Sequence, residues 1–224
     1  MTTADELQAL VEQRYAMLDG PSWEPAYDWD TTVPPDEAYS RVTDPDRYRI
    51  VHLRAGVWTE VLAERLGVRV EPLGSLPDPE HPSRVVVGGS RLVPTASGAR
   101  PLLLVEIEVA RESGPPLPVL DVALDRPDFV VGGWPDCGCD ACDTGSADLL
   151  EAVDDSVLSV VTGPYAMLRG HGWTAEWHPD GGGAGGDPAY DTDRLCSLAE
   201  RVAHGEDVVL PAGTEVVVSR GWLA

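Results

Sequence analysis

Three thiols fall within six positions in the run Asp136-Cys137-Gly138-Cys139-Asp140-Ala141-Cys142-Asp143. Thiolates are ligands for zinc and other soft or borderline ions. If Cys137 and Cys139 are locally extended, their side chains leave one face, and a turn from Cys139 to Cys142 returns the third sulfur toward them. Gly138 permits the close bend. A tetrahedral zinc with Zn–S bonds of about 2.3 Å would then take Cys137, Cys139 and Cys142 from this loop and a fourth ligand from elsewhere. Candidates for that position are Cys196, His171 and His178, with Asp140 and Asp143 as weaker ones. The strong zinc signatures have two CxxC pairs, or CxxC with HxxxH, and this chain has neither. Two other readings therefore stay open: reduced thiols that pack the turn, or a redox pair of Cys139 and Cys142 at CxxC spacing.

Charge sharpens the metal reading. Between Arg126 and Arg169 there is no basic residue, and eight acids fall there. Such surroundings disfavour a bare thiolate and raise a thiol's pKa, which argues against a nucleophilic cysteine and for a divalent cation that supplies the missing charge. Cys196, beside Leu195 and Leu198, reads most simply as a core thiol. The remaining polar candidates carry less. His52 lies on an apolar helix stripe and reads as packed; His81, between prolines, and His204, at a helix end, have structural explanations. His171 and His178 flank Trp173 and Trp177 near Asp180, Asp187, Asp191 and Asp193, without the ligand spacing of a calcium loop. Glu106 and Glu108 read as a solvated strand face rather than an acid–base pair. The glycines of 181–186 do not open a helix with phosphate-binding spacing, and no serine sits in a GxSxG elbow.

The elements that must hold the loop follow from periodicity. A helix is predicted over 4–18 with a Thr3–Glu6 capping box, then a loop rich in Trp, Pro and Asp over 21–42 whose aromatics pin it to the body. A second helix starts at a cap on Thr43 or Asp44, with Pro45 in its first turn, and runs to Gly67. From 68 to 132 the period becomes two, giving strands at 84–87, 102–109, 118–124 and 129–131 separated by short turns, which favours an antiparallel meander. In 105–109 the alternation implies one buried and one wet face. A helix follows over 146–161 with Ser146 as its N-cap, then a strand at 173–177, a mobile loop at 180–187, a helix at 193–203 and a strand at 214–219. The sum is one α+β domain over 1–224, with a helical part (1–67), a sheet (68–132) and the Cys loop with a C-terminal α/β part (133–224). About four helices pack on a mainly antiparallel sheet of four to six strands.

Composition sets the outer bounds. All 16 basic residues are Arg, with no Lys and no Asn, against 38 acids and a formal charge of -22. The missing lysine excludes Walker-type phosphate loops and Schiff-base catalysis, and the missing asparagine excludes a papain-like site. The negative field repels nucleic acid and anionic lipid. No apolar run suits a membrane helix and the first residues do not resemble a signal peptide, so the expectation is a cytoplasmic protein without nucleic-acid or membrane partners.

The stretches YSRVTDPDRYR (39–49), DCGCDACDTGSADLL (136–150) and VLSVVTG (157–163) resemble a family of actinobacterial proteins, recurrent in Streptomyces and relatives, of unknown function. The Arg-only, GC-rich composition agrees. The resemblance spans most of the chain and implies no activity; segments 72–82 and 180–187 look like variable insertions within it. The reading favoured on sequence is a non-catalytic acidic binding protein that docks a basic partner, its Cys loop structural and zinc-stabilised. The alternative is a metal- or redox-dependent enzyme or sensor, which requires an open coordination position or a reversible disulfide and a pocket beside the three cysteines.

Overall fold

A computed structural model describes residues 2–28, 31–77 and 82–223, the side chains of Leu76 and Pro77 excepted; His81 and Trp29 lie outside the described residues. The N-terminal helix α1 (Ala4–Tyr15) forms both arms of its capping box, Thr3 N–H to Glu6 at 3.1 Å and Glu6 N–H to Thr3 at 3.2 Å. It buries Leu7 and Val11 but stops short of residue 18: Met17 and Leu18 stand 74% and 41% exposed, so nothing packs to extend it. Helix α2 (Ile50–Leu66) is entered through a 3-10 turn over Pro45–Arg49 and closed by Gly67, whose φ of 63° suits a residue without Cβ. Neither expected cap forms. Asp44 is left-handed and makes no capping bond, and Thr43 is committed elsewhere, as shown below.

The strands number ten among the described residues: β1 (Arg69–Pro72), β2 (Leu76–Pro77), β3 (Arg84–Val93), β4 (Leu102–Val109), β5 (Leu117–Leu124), β6 (Val130–Trp134), β7 (Tyr165–Gly170), β8 (Trp173–His178), β9 (Gly181–Gly186) and β10 (Glu215–Ser219). All pairings are antiparallel, and the fold is α+β, as the periodicity predicts. The strands divide between two sheets, the first in order β1-β3-β4-β5-β6 with β2 beside β3, the second in order β10-β7-β8-β9. Helix α3 (Gly145–Thr162) connects them, and α4 (Thr192–Ala203), capped by the Asp191 carboxylate, covers the second sheet. The main core unites Leu7 and Val11 of α1, Val51, Trp58 and Leu62 of α2, Val153 and Val157 of α3 and Leu104, Leu120 and Val122 of the first sheet; Tyr165, Met167 and Val217 of the second sheet join it. A smaller core sets Leu195 and Leu198 against Leu168, Trp173 and Ala175.

Two further expectations need correction. The segment 180–187 is not a loop: β9 pairs with β8 along its whole length. A Cβ on Gly182 would come within 2.6 Å of the Glu176 carbonyl oxygen and one on Gly186 within 2.3 Å of the Gly172 oxygen, so glycine is what lets the two backbones meet. In β4 the alternation holds only in part: over 105–109 Val105 and Ile107 are buried and Glu106 and Glu108 half-buried, but the face of the acids is not a wet one along the strand. Glu106 and Glu108 continue the row of Leu102 and Leu104, which faces the helices, and Glu108 ends on Arg49 at 2.8 Å. The opposite row, Leu103, Val105 and Ile107, is buried with Val119 and Ala123. No helix among the described residues is long and apolar enough to cross a membrane.

Candidate metal centre

The Cys loop spans the gap between β6 and α3. It leaves the sheet through the Trp134–Pro135 peptide, which is cis, and is then tied to the segment that precedes α2. The Asp140 N–H donates to the Arg41 carbonyl at 2.8 Å and the Ala141 N–H to the Ala38 carbonyl at 3.2 Å. The turn expected between Cys139 and Cys142 is closed by the Cys142 N–H on the Cys139 carbonyl at 3.1 Å. Gly138 packs against Leu117, where a Cβ would come within 2.6 Å of a methyl group.

The result is a convergence of sulfur. The Sγ atoms of Cys137, Cys139 and Cys142 all lie within 4.8 Å of one another, and Cys137 donates to Cys139 across 3.2 Å. Cys139 is buried, while Cys137 and Cys142 reach the surface. Burial opposes ionisation of Cys139, yet hydrogen bonds from Cys137, from Cys142 and from the Cys142 and Ala141 backbone hold it below its ordinary 9.0. The hydrogen bond shared with Cys139, with burial behind it, pushes Cys142 up to about 12. Burial chiefly raises Cys137 as well. Of the three thiols, the inner one thus gives up its proton most readily.

The acids of the loop have a different task from ligation. Asp140 is buried and accepts from Arg41 Nε at 2.5 Å, the Thr43 N–H at 2.7 Å and the Thr43 hydroxyl at 2.8 Å. Burial works against its charge, but Arg41 and Thr43 outweigh it and hold its carboxyl below the ordinary 3.8. Asp143 accepts from Arg47 at 2.8 Å, from Trp23 Nε1 at 2.9 Å and from the Gly145 N–H at 3.0 Å at the start of α3. Thr144 holds the N-cap position of that helix without a side-chain capping bond, and Ser146 lies inside it, its hydroxyl accepting from the Trp23 N–H at 3.1 Å. The absence of nearby cations expected from the local sequence therefore does not hold in space. Arg41 and Arg47 arrive from about a hundred residues upstream, and with Thr43 and Trp23 they are the supporting residues that local reading missed. Their signal lies in the 39–49 stretch, which meets the 136–150 stretch here.

None of the three candidate fourth ligands joins the trio. Cys196 sits half-buried on α4, His171 in the β7–β8 turn, and His178 at the end of β8, stacked on Tyr165 at 5.8 Å. His52, read as packed, bonds the Val119 carbonyl at 2.9 Å, and His204 bonds the Glu200 carbonyl at 2.9 Å. Beside the trio a cavity of about 260 Å³ is lined by Cys137, Cys142, Tyr48, Trp134, Asp136 and Asp148 among others.

Comparison with protein families places residues 11–223 in a single family, DUF6226, a family of unknown function. The chain belongs to DUF6226. No curated protein and no solved structure matches it. The DUF6226 match takes in the Arg41–Arg49 segment, the Cys loop and both sheets, so the site described above lies wholly within the family's span.

Proposed function

We propose that this chain is a metal-bearing binding protein rather than an enzyme, with one zinc ion held by Cys137, Cys139 and Cys142 and a fourth position open to a molecule from outside. The carrying observation is the mutual approach of three sulfurs to within 4.8 Å. Zn–S bonds of about 2.3 Å at tetrahedral angles separate sulfurs by about 3.8 Å, so small rotations suit one ion, whereas a cluster with several irons needs wider spacing. The reading against turnover rests on Asp140 and Asp143. Both of these carboxylates are bound to arginines and backbone N–H groups, so neither is free to serve as a base at a hydrolytic metal.

Metal analysis of protein purified without a histidine tag, with a thiol count after denaturation, tests this reading. We expect one zinc per chain and four titratable thiols, and loss of the zinc in Cys139→Ser. Four thiols without metal would overturn the proposal. A second reading has its own observation, the 3.2 Å approach of Cys137 and Cys139, which suits oxidation to a disulfide; two titratable thiols without metal would favour it.

The formal charge of -22 supports a basic protein as the partner and a cytoplasmic setting away from nucleic acid and lipid, and the Arg-only composition supports an actinobacterial origin. A partner docked by charge is released from the immobilised chain at high salt. Retention of every captured protein at high salt would remove that part of the proposal.

A further inference from the structure

Resting on the metal reading above, we propose that the open position takes a small soft donor carrying a positive charge, a cationic thiol in the first place, seated in the cavity between the Cys loop and α3. The cavity touches Cys137 and Cys142, and its volume of about 260 Å³ suits a ligand of a few heavy atoms. Drug-sized ligands need about 300 Å³ or more.

Charge selects the class. Three thiolates around a divalent ion keep one net negative charge. Of the acids lining the cavity, Asp143 is neutralised by Arg47 at 2.8 Å. Asp148, exposed in the first turn of α3, forms no ion pair among the described residues, and Asp136 spends one oxygen on the Cys137 N–H at 2.7 Å. A hydroxide, carboxylate or phosphate entering here meets net negative charge from both the ion's own shell and these two side chains. A ligand whose sulfur reaches the ion while its cationic end lies by Asp136 and Asp148 meets the reverse. Trp134, half-buried at the edge of the space, offers aromatic surface that suits an ammonium group. On binding, the sulfur replaces a water on the ion and the thiol proton passes to solvent; no electron is transferred.

The test uses the full chain loaded with cobalt(II), whose sulfur-to-metal charge-transfer absorption reports a fourth thiolate. Three thiols that differ in one end group, thiocholine, mercaptoethanol and mercaptoethanesulfonate, are titrated separately. Thiocholine should half-saturate at a concentration at least about tenfold below mercaptoethanesulfonate, beyond their difference in thiol acidity. Asp148→Asn should narrow that ratio several-fold while leaving cobalt stoichiometry unchanged, and high salt should narrow it in the unaltered chain. Binding with a ratio that neither Asp148→Asn nor salt alters, or cobalt loading without binding of any thiol, overturns this inference alone. Failure to load cobalt overturns the metal reading, and this inference falls with it.

Discussion

Arg47 holds the Cys loop both by charge and by stacking. Its guanidinium bonds the Asp143 carboxylate and the Tyr48 hydroxyl at 2.8 and 3.2 Å, and it stacks on the rings of Trp23 and Tyr48 at 4.8 and 5.1 Å. Arg47→Ala leaves the 3% exposed side chain of Asp143 with only N–H donors, and should cost about 3 kcal/mol in urea unfolding. Arg47→Lys keeps the charge but loses the planar stack, so it should fall between the two. A second buried cation ties the helices. Arg54, fully buried on α2, bonds Asp154 of α3 at 2.8 Å through Nε, reaches Glu12 of α1, and shares Asp154 with Trp58 Nε1 at 2.6 Å. Arg54→Met should therefore destabilise by about 3–5 kcal/mol by stranding Asp154, whereas Glu12→Gln, at an exposed carboxylate, should cost under about 1 kcal/mol. Denaturation of both variants checks the contrast, and near-equal losses would contradict it. Arg54 was legible in principle, since it falls on the stripe of Ile50, Trp58 and Val61. Arg41 and Arg47 were not, because nothing in local spacing says which distant acids they meet.

At the scale of the element, legibility follows periodicity. β4 and the body of α2 lie where the strand-like run 102–109 and the 3.6-residue stripe put them, because both are apolar enough to be buried in the core. β9 carries no such pattern: five glycines and one alanine read as a linker, and only the partner strand reveals why. Two glycines of β9 should respond in opposite ways to a side chain. Gly183 has open space at its Cβ position, so Gly183→Ala should be neutral or stabilise slightly by reducing chain entropy in the unfolded state. Gly186 combines a φ of 145° with a Cβ position 2.3 Å from the Gly172 oxygen, so Gly186→Ala should lower the midpoint of thermal unfolding and expose the β8–β9 amides to hydrogen exchange. Equal exchange in both variants would mean that β9 does not depend on close backbone approach. The start of α3 was misread for a related reason: Ser146 has the right type for a cap, but Trp23 from the 21–42 loop claims its hydroxyl.

Across the whole molecule, the two sheets are joined by more than α3. Arg126, after β5, bonds Glu215 of β10 at 2.6 Å, Arg169 of β7 bonds Asp128 at 2.5 Å, and both guanidiniums stack on Phe129, at 4.6 and 4.4 Å. Tyr165 of β7 carries the second sheet into the main core, its hydroxyl donating to Glu176 of β8 and its ring stacked on His178. Burial first, and the Glu176 charge second, raise the Tyr165 phenol well above its ordinary 10.0. The unfolded chain releases that proton near 10.0 while the folded chain keeps it, so the contribution to stability is present below that pH and lost as pH rises beyond it. The paired acids set the other limit. Arg126 and Arg169 hold Glu215 below its ordinary 4.5, so its contribution persists above that pH and fades as pH falls through the folded value. The chain should thus unfold on the alkaline side together with delayed ionisation of a buried tyrosine. Tyr165→Phe should be less stable at neutral pH, because Glu176 loses its donor, yet should lose less of its remaining stability between pH 9 and 11. Unfolding by circular dichroism, followed with tyrosinate absorbance, checks this. A Tyr165→Phe chain whose stability declines over that interval as steeply as the unaltered chain's would place the alkaline limit elsewhere, with Tyr48 and Tyr15, also raised chiefly by burial, as the next groups to remove.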